Sequence, residues 1–186
     1  VRAALRDIIA NGQRASNVIV RVRAALKKAP TQTERIEINH IIAEVIELAY
    51  HEVQRHGVQL HTELASDLPA VLGDRVQLQQ VLLNLVMNGI DAMSTVAEGP
   101  RQLRIRATWA EPAGVLVAVQ DSGIGFDPHT LERIFDAFYT TKPTGMGMGL
   151  SISRTIIKTH RGRLRAERNL GPGATLQFIL PRAAEN

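Results

Sequence analysis

The sequence contains no cysteine, which removes disulfides and thiolate zinc sites and fits a reducing compartment. Aromatic residues are scarce, at 4% of 186 positions. No apolar run is long enough to cross a membrane, and no signal peptide is visible, so no membrane contact is expected of this chain. The first residue is Val1, not Met, and the chain is therefore expected to be a piece cut from a longer protein. What remains is ample: 45% hydrophobic residues can form a core, and the length holds one ordinary domain with an appendage.

The net charge of +4 is unevenly spread. Residues 1–30 carry Arg2, Arg6, Arg14, Arg21, Arg23, Lys27 and Lys28 against the single acid Asp7, a balance of +6 that leaves −2 for the rest. No aromatic side chain lies among those cations to stack on a base, so no nucleic-acid partner is expected.

Residues 1–29 read as one long helix. Val1, Leu5, Ile8, Gly12, Ala15, Ile19, Val22 and Leu26 alternate steps of four and three, the seam of a helical bundle, and Pro30 and Thr31 end it. A second helix is expected over 36–56, with Ile38, Ile41, Ile42, Val45, Ile46, Leu48 and Ala49 clustered and Gly57 as its stop. The alternation of VQLHTEL predicts a strand over 58–64. Asp74 is suited to cap a helix running to about Met93. Strands are predicted over 101–109 and 114–120, a short helix over 128–138, a helix over 149–160, and strands over 163–168 and 174–180. The pattern is that of an α+β two-layer sandwich behind a long bundle helix.

Three stretches carry chemistry. On the helix before Met93, Gln77, Gln80, Asn84, Asn88 and Asp91 share one narrow arc between apolar flanks. Such a stripe either faces water or faces a polar ligand. DSGIGF sets Asp121 at the end of an apolar strand, with Gly123 and Gly125 behind it. This is an ordinary turn, or a place where a flat ligand approaches the backbone and a carboxylate accepts a hydrogen bond from its amine. TGMGMGLSIS places Gly145, Gly147 and Gly149 just before a helix, where free N–H groups and the helix N-terminus favour an anion, with Lys142 close by. It is not a P-loop, because no Lys-Ser or Lys-Thr follows the glycines. HEVQRH at 51–56 is not a zinc motif either: its histidines are five apart, and Arg55 stands where the second is needed.

In this order the three stretches resemble the GHKL (Bergerat-fold) ATP-binding family, and most of all the catalytic ATP-binding domain of bacterial sensor histidine kinases. LQQVLLNLVMNGIDAM is similar to their N box, DSGIGF to the G1 box, IFDAFYTTK to the F box, TGMGMGLSIS to the G2 box and GPGATLQFILP to the closing strand. The stretch from TTKP to GMGMGLSIS resembles oxygen- and nitrogen-sensing or PAS-linked kinases. The resemblance covers about residues 36–182. It implies a mixed sheet with three helices on one face, with domains at 1–30 (second helix of the dimerisation and phosphotransfer hairpin) and 31–186 (catalytic domain).

The resemblance also implies roles. Asn88 would hold Mg²⁺, for which one amide oxygen plus phosphates suffices. Asn84 and Lys142 are candidates for positioning phosphate, and Asp91 is a group behind them. Asp121 would take the adenine amine, Gly123 and Gly125 would line the base, and Thr175 would sit near it. Gly145, Gly147, Gly149 and Leu150 would belong to a mobile lid over ATP, anchored by the packing of Phe135 and Phe138. ATP-hydrolysing relatives of the Hsp90, gyrase B and MutL types place Glu at the position of Asn84, where it can deprotonate water; Asn cannot. The chain is thus expected to hold ATP for transfer to a histidine and onward to a response-regulator aspartate, in a cytoplasmic homodimer built by the bundle. The phosphoacceptor His is missing, since His51-Glu52 falls after the bundle helix. A nucleotide-binding scaffold without transfer activity is the alternative.

Overall fold

The computed structural model describes residues 33–94, 96, 99–110, 114–127, 129–131, 133–142 and 145–184. The bundle helix expected over 1–29 lies outside these residues, as do 111–113 between two strands and Pro128 at the expected start of a short helix.

The chain enters through β1 (Glu34–Ile36) and passes into α1 (Ile38–Arg55). It continues through β2 (Gln59–Leu64) and β3 (Val71–Gly73) to α2 (Arg75–Ser94). The strands β4 (Gln102–Ala110) and β5 (Gly114–Asp121) pair along their length. A single 3-10 turn, Arg133–Phe135, precedes α3 (Gly149–Thr159), β6 (Arg163–Arg168) and β7 (Ala174–Pro181).

Five strands form a mixed sheet in the order β2-β4-β5-β7-β6. Only β2 and β4 run parallel, and the crossover that joins them contains α2, as a parallel pair requires. The register sets the faces. Leu103 lies opposite Asp121, Ile105 opposite Val119 and Ala107 opposite Val117, all buried beneath the helices. The alternate rows (His61 and Arg104, Gln120 and Thr175, Arg165 and Gln177) point to the open face. Among the described residues three helices cover one face of the sheet, giving the expected two-layer α+β sandwich.

α2 is central because its apolar arc is wide. Leu78, Val81, Leu82, Leu85, Val86, Ile90 and Met93 are all buried between α1, α3 and the sheet. Its start is capped as predicted: Asp74 Oδ1 accepts from the Gln77 N–H at 3.0 Å. α1 ends as Gly57 predicts, with φ of +61° and the Val58 N–H bonded to the Val53 carbonyl at 3.0 Å.

Several expectations are corrected. Ile36 belongs to β1, not to the helix, and β3 was not anticipated; these three-residue strands pair with each other and are too short for a periodicity. Leu48 is exposed, not in the cluster, because it lies off the arc of Ile38, Ile41, Ile42, Val45 and Ala49. The helix expected over 128–138 is reduced to one 3-10 turn within the described residues, and Phe138 lies beyond it with φ of +66°.

Candidate nucleotide site

The site is arranged along the polar arc of α2. Residues three or four apart on a helix share a face, so Asn84, Asn88 and Asp91 form a row with distinct neighbours. Asn84 Nδ2 donates to Ser153 Oγ of α3 at 3.1 Å. Gly149, the first residue of α3, lies so close that a Cβ there would sit 2.5 Å from Asn84 Oδ1. One turn on, Asn88 Oδ1 accepts from the Lys142 ammonium at 3.2 Å, and Asp91 Oδ2 pairs with the same ammonium at 2.7 Å.

Asp121 occupies the end of β5 against the far end of this row. It is 7% exposed. Burial pushes its carboxyl above the ordinary 3.8, while backbone N–H groups of Gly123 and Ala174 pull the other way. Gly123 N donates to Asp121 Oδ1 at 2.8 Å. Glycines bring backbone close all around it. A Cβ on Gly89 would sit 2.7 Å from Leu103 Cδ1 and 3.3 Å from Asp121 Cβ; one on Gly123 would sit 2.7 Å from the Ala92 carbonyl. Gly125, at φ of +70°, packs on the Gly173 carbonyl, and Gly173, at φ of +89°, packs on the Asp121 main chain. At Gly123, Gly125 and Gly173 the obstruction is main chain, which only glycine accommodates, whereas at Gly89 it is side chain.

Thr175 does not face the open site alone: its hydroxyl donates to Asn169 Oδ1 at 2.7 Å. Asn169 Nδ2 in turn donates to the Asp121 carbonyl at 2.9 Å and the Pro172 carbonyl at 3.1 Å. Asn169 and Ser153 are contributors that sequence reasoning missed. Asn169 sits two residues before the Gly-Pro-Gly turn, and only its neighbours in space mark it out.

In the segment between the 3-10 turn and α3, Lys142 N bonds to Thr140 Oγ1 and Gly145 N to the Lys142 carbonyl, both at 3.1 Å. Gly147, at φ of +66°, lies against the Phe138 and Tyr139 backbone. Leu150 is half-buried against the core. Phe135 packs partly against the core, with the Arg154 guanidinium 5.6 Å over its ring. Phe138 does not pack as expected; it is 75% exposed.

A pocket of about 210 Å³ opens at the end of β5, lined by Asp121 and Ser122 together with His61, Arg104, Gln120 and Asn169. It touches neither Asn88 nor Lys142 and is separate from the row on α2. Among the described residues no group of three His, Cys, Asp or Glu could hold a metal, and HEVQRH makes no cluster. His160, buried at the end of α3, is structural: Nδ1 donates to the Ile156 carbonyl at 2.8 Å, and Nε2 accepts from the Asp74 N–H at 2.9 Å.

Residues 73–184 match the family described as histidine kinase-, DNA gyrase B-, and HSP90-like ATPase. The sensor protein FixL of Bradyrhizobium diazoefficiens is 39% identical over 100% of this chain, which spans 36% of that protein. The sensor histidine kinase TmoS of Ectopseudomonas mendocina is 36% identical over 97% of the chain, which spans 19% of it. The chain thus covers little more than a third of these relatives at most. Among solved structures, the catalytic domain of histidine kinase ThkA superposes with a TM-score of 0.71 at 30% identity, over 82% of this chain and 99% of that one. ThkA in complex with the response regulator TrrA gives 0.76 at 27% identity, over 95% of this chain and 50% of that one. The row on α2, the buried Asp121 and the glycines before α3 therefore stand in a known frame: the chain belongs to the histidine kinase-, DNA gyrase B- and HSP90-like ATPase family, and within it to the ATP-binding domains of sensor histidine kinases.

Proposed function

We propose that this chain is the catalytic part of a sensor kinase that holds ATP and passes its γ-phosphoryl group to a histidine on a partner helix. The observation that carries the reading is that Asn84 and Asn88 share one face of α2 with Lys142 brought to it, while the buried Asp121 packs against Gly89 of the same helix. Asp121 supplies a buried acceptor for the adenine amine. Backbone donors at Gly123 and Ala174 offset part of the burial that raises its carboxyl, and the close-packed glycines fix the main chain around it. Asn88 presents its amide oxygen to a cation, since its partner is an ammonium. The same oxygen suits Mg²⁺, which when bound would neutralise phosphate charge. Lys142 and the N-terminus of α3 add positive potential for the phosphates.

Transfer then rests on positioning and charge neutralisation. Asn84 cannot act as a base, and it is engaged with Ser153, so the site is suited to holding ATP rather than hydrolysing it. Residues 1–30 are assigned to the second helix of the dimerisation hairpin and 31–186 to the catalytic domain. The receiving histidine, the homodimer and a response-regulator partner belong to the longer protein. ThkA, solved with its response regulator, makes such a partner a natural expectation here. No helix among the described residues is long and apolar enough to cross a membrane. ATP as substrate favours the cytoplasm.

Calorimetric titration of ATP with and without Mg²⁺, beside Asn88→Ala and Asp121→Ala, tests the site. Binding that needs Asp121, and Mg²⁺ enhancement that needs Asn88, is expected. Phosphorylation in trans of a supplied His-bearing helical bundle tests the activity. Tight ATP binding without transfer would leave a nucleotide-binding scaffold.

A further inference from the structure

Lys142 lies 54 residues along the chain from Asn88, yet its ammonium reaches two groups of the same α2 face. Asn88 Oδ1 accepts at 3.2 Å and Asp91 Oδ2 at 2.7 Å. The shorter, charge-assisted bond is to Asp91. Local bonds from Lys142 N to Thr140 Oγ1 and from Gly145 N to the Lys142 carbonyl turn the neighbouring backbone, and the Lys142 side chain bridges to α2.

We propose that Asp91 is a positioning residue that latches the segment around Lys142 onto the metal-binding amide. It draws the ammonium onto Asn88 Oδ1, and a divalent cation must displace it. This rests on the nucleotide-site reading above and extends it. Two cations cannot share one amide oxygen without strong repulsion, so the ammonium and Mg²⁺ compete for Asn88. Asp91 tilts that competition toward the lysine, whose freed ammonium is then near the phosphates. The carboxylate and the ammonium are both half-exposed, so the latch is weak and reversible. That suits a contact broken at every binding event.

The sign of one effect separates this role from the obvious other one. If Asp91 simply attracts Mg²⁺ by its charge, removing that charge weakens Mg²⁺ binding. If it acts through Lys142, removing it frees Asn88 and strengthens Mg²⁺ binding. The experiment uses the purified chain and the variants Asp91→Asn, Lys142→Met and both together. ATP binding is titrated with Mg²⁺, and amide hydrogen exchange over 139–147 is followed without nucleotide.

The latch predicts that Asp91→Asn lowers the Mg²⁺ concentration for half-maximal enhancement by about two- to five-fold, the range of a half-exposed pair. It also predicts faster exchange over 139–147. In the Lys142→Met background, Asp91→Asn should no longer lower the Mg²⁺ requirement. A raised requirement, or an unchanged one with unchanged exchange, overturns the latch. Absence of ATP binding by the parent chain would overturn the nucleotide-site reading instead, while exchange in Asp91→Asn would still decide whether the contact holds the segment.

Discussion

Replacing Gly173 by alanine, beside the same change at Gly171, probes how Asp121 is held. Both glycines lie in the turn before β7, two residues apart. A Cβ on Gly171 would meet nothing within 4 Å. A Cβ on Gly173 would collide with the carbonyl oxygen of Asp121, with the carbonyl carbon 2.6 Å and Ser122 Cα 2.9 Å away, at a backbone φ of +89°. The positive φ costs an L-residue about 1–2 kcal/mol. The collision is with main chain, which no rotamer change relieves, and overpacking of this kind costs about 1–3 kcal/mol. Gly173→Ala should therefore destabilise by about 2–5 kcal/mol, lowering Tm by roughly 4–20 °C for a domain of this size. Gly171→Ala should be neutral or stabilise by up to about 1 kcal/mol. Thermal and urea unfolding give the difference, and ATP titration should show Gly173→Ala binding weakly even where it is folded. If the two variants unfold within about 0.5 kcal/mol of each other, the backbone of Asp121 is not fixed by Gly173, and the reasoning from that contact fails.

Asp121→Ala removes a hydrogen bond to a charged acceptor worth about 1.5–3 kcal/mol, so ATP affinity should fall roughly 10- to 150-fold by calorimetry; an unchanged affinity would remove Asp121 from the site. Burial raises the Asp121 carboxyl above 3.8, so on acidification its acceptor protonates sooner than an exposed Asp, and ATP affinity should drop at a pH above the ordinary aspartate range. For stability the sign is opposite: the contribution of Asp121 is full below the unfolded value of 3.8 and is lost as pH rises through the raised folded value, which a pH series of urea unfolding compared with Asp121→Ala detects. Asn169→Ala leaves the Asp121 and Pro172 carbonyls and the Thr175 hydroxyl without their partner and should cost about 1–3 kcal/mol in urea unfolding, with Thr175→Ser nearly neutral.

Long elements were legible because their periods repeat. The arc of α2 is wide enough for seven buried apolar residues, and its polar row was visible as a row. The paired strands β4 and β5 showed their alternation, and Gly57 and Asp74 announced the ends they make. β1 and β3 were not legible, since three residues carry no period and their pairing joins Ile36 to Val71 across a helix. Nor was the loss of the helix expected over 128–138, where the backbone leaves helical geometry by Phe138. For the site, residue types and motif order singled out Asn84, Asn88 and Asp121 as candidates. What each touches was not legible. Ser153 on Asn84, Lys142 on Asn88 and Asn169 behind Asp121 are contacts across 48 to 69 residues of chain.

Those contacts give α2 a further part in the argument. The segment from Lys142 to α3 meets this helix at both ends: Lys142 at Asn88 and Asp91, and Gly149 and Ser153 at Asn84. Asn84 and Asn88 are one turn apart, about 6 Å along the axis. A ligand that engages the amide of Asn88 therefore acts on one end of the segment directly and on the other through a single turn of rigid, buried helix. An aspartate or glutamate at 84, suited to activating water, would face the Ser153 hydroxyl and the Gly149 backbone, where Asn84 now donates from its amide. Choosing Asn at this position thus does two things at once. On the proposed site it withholds a base from the phosphates, and it gives α3 a neutral donor that ties the end of the segment to α2.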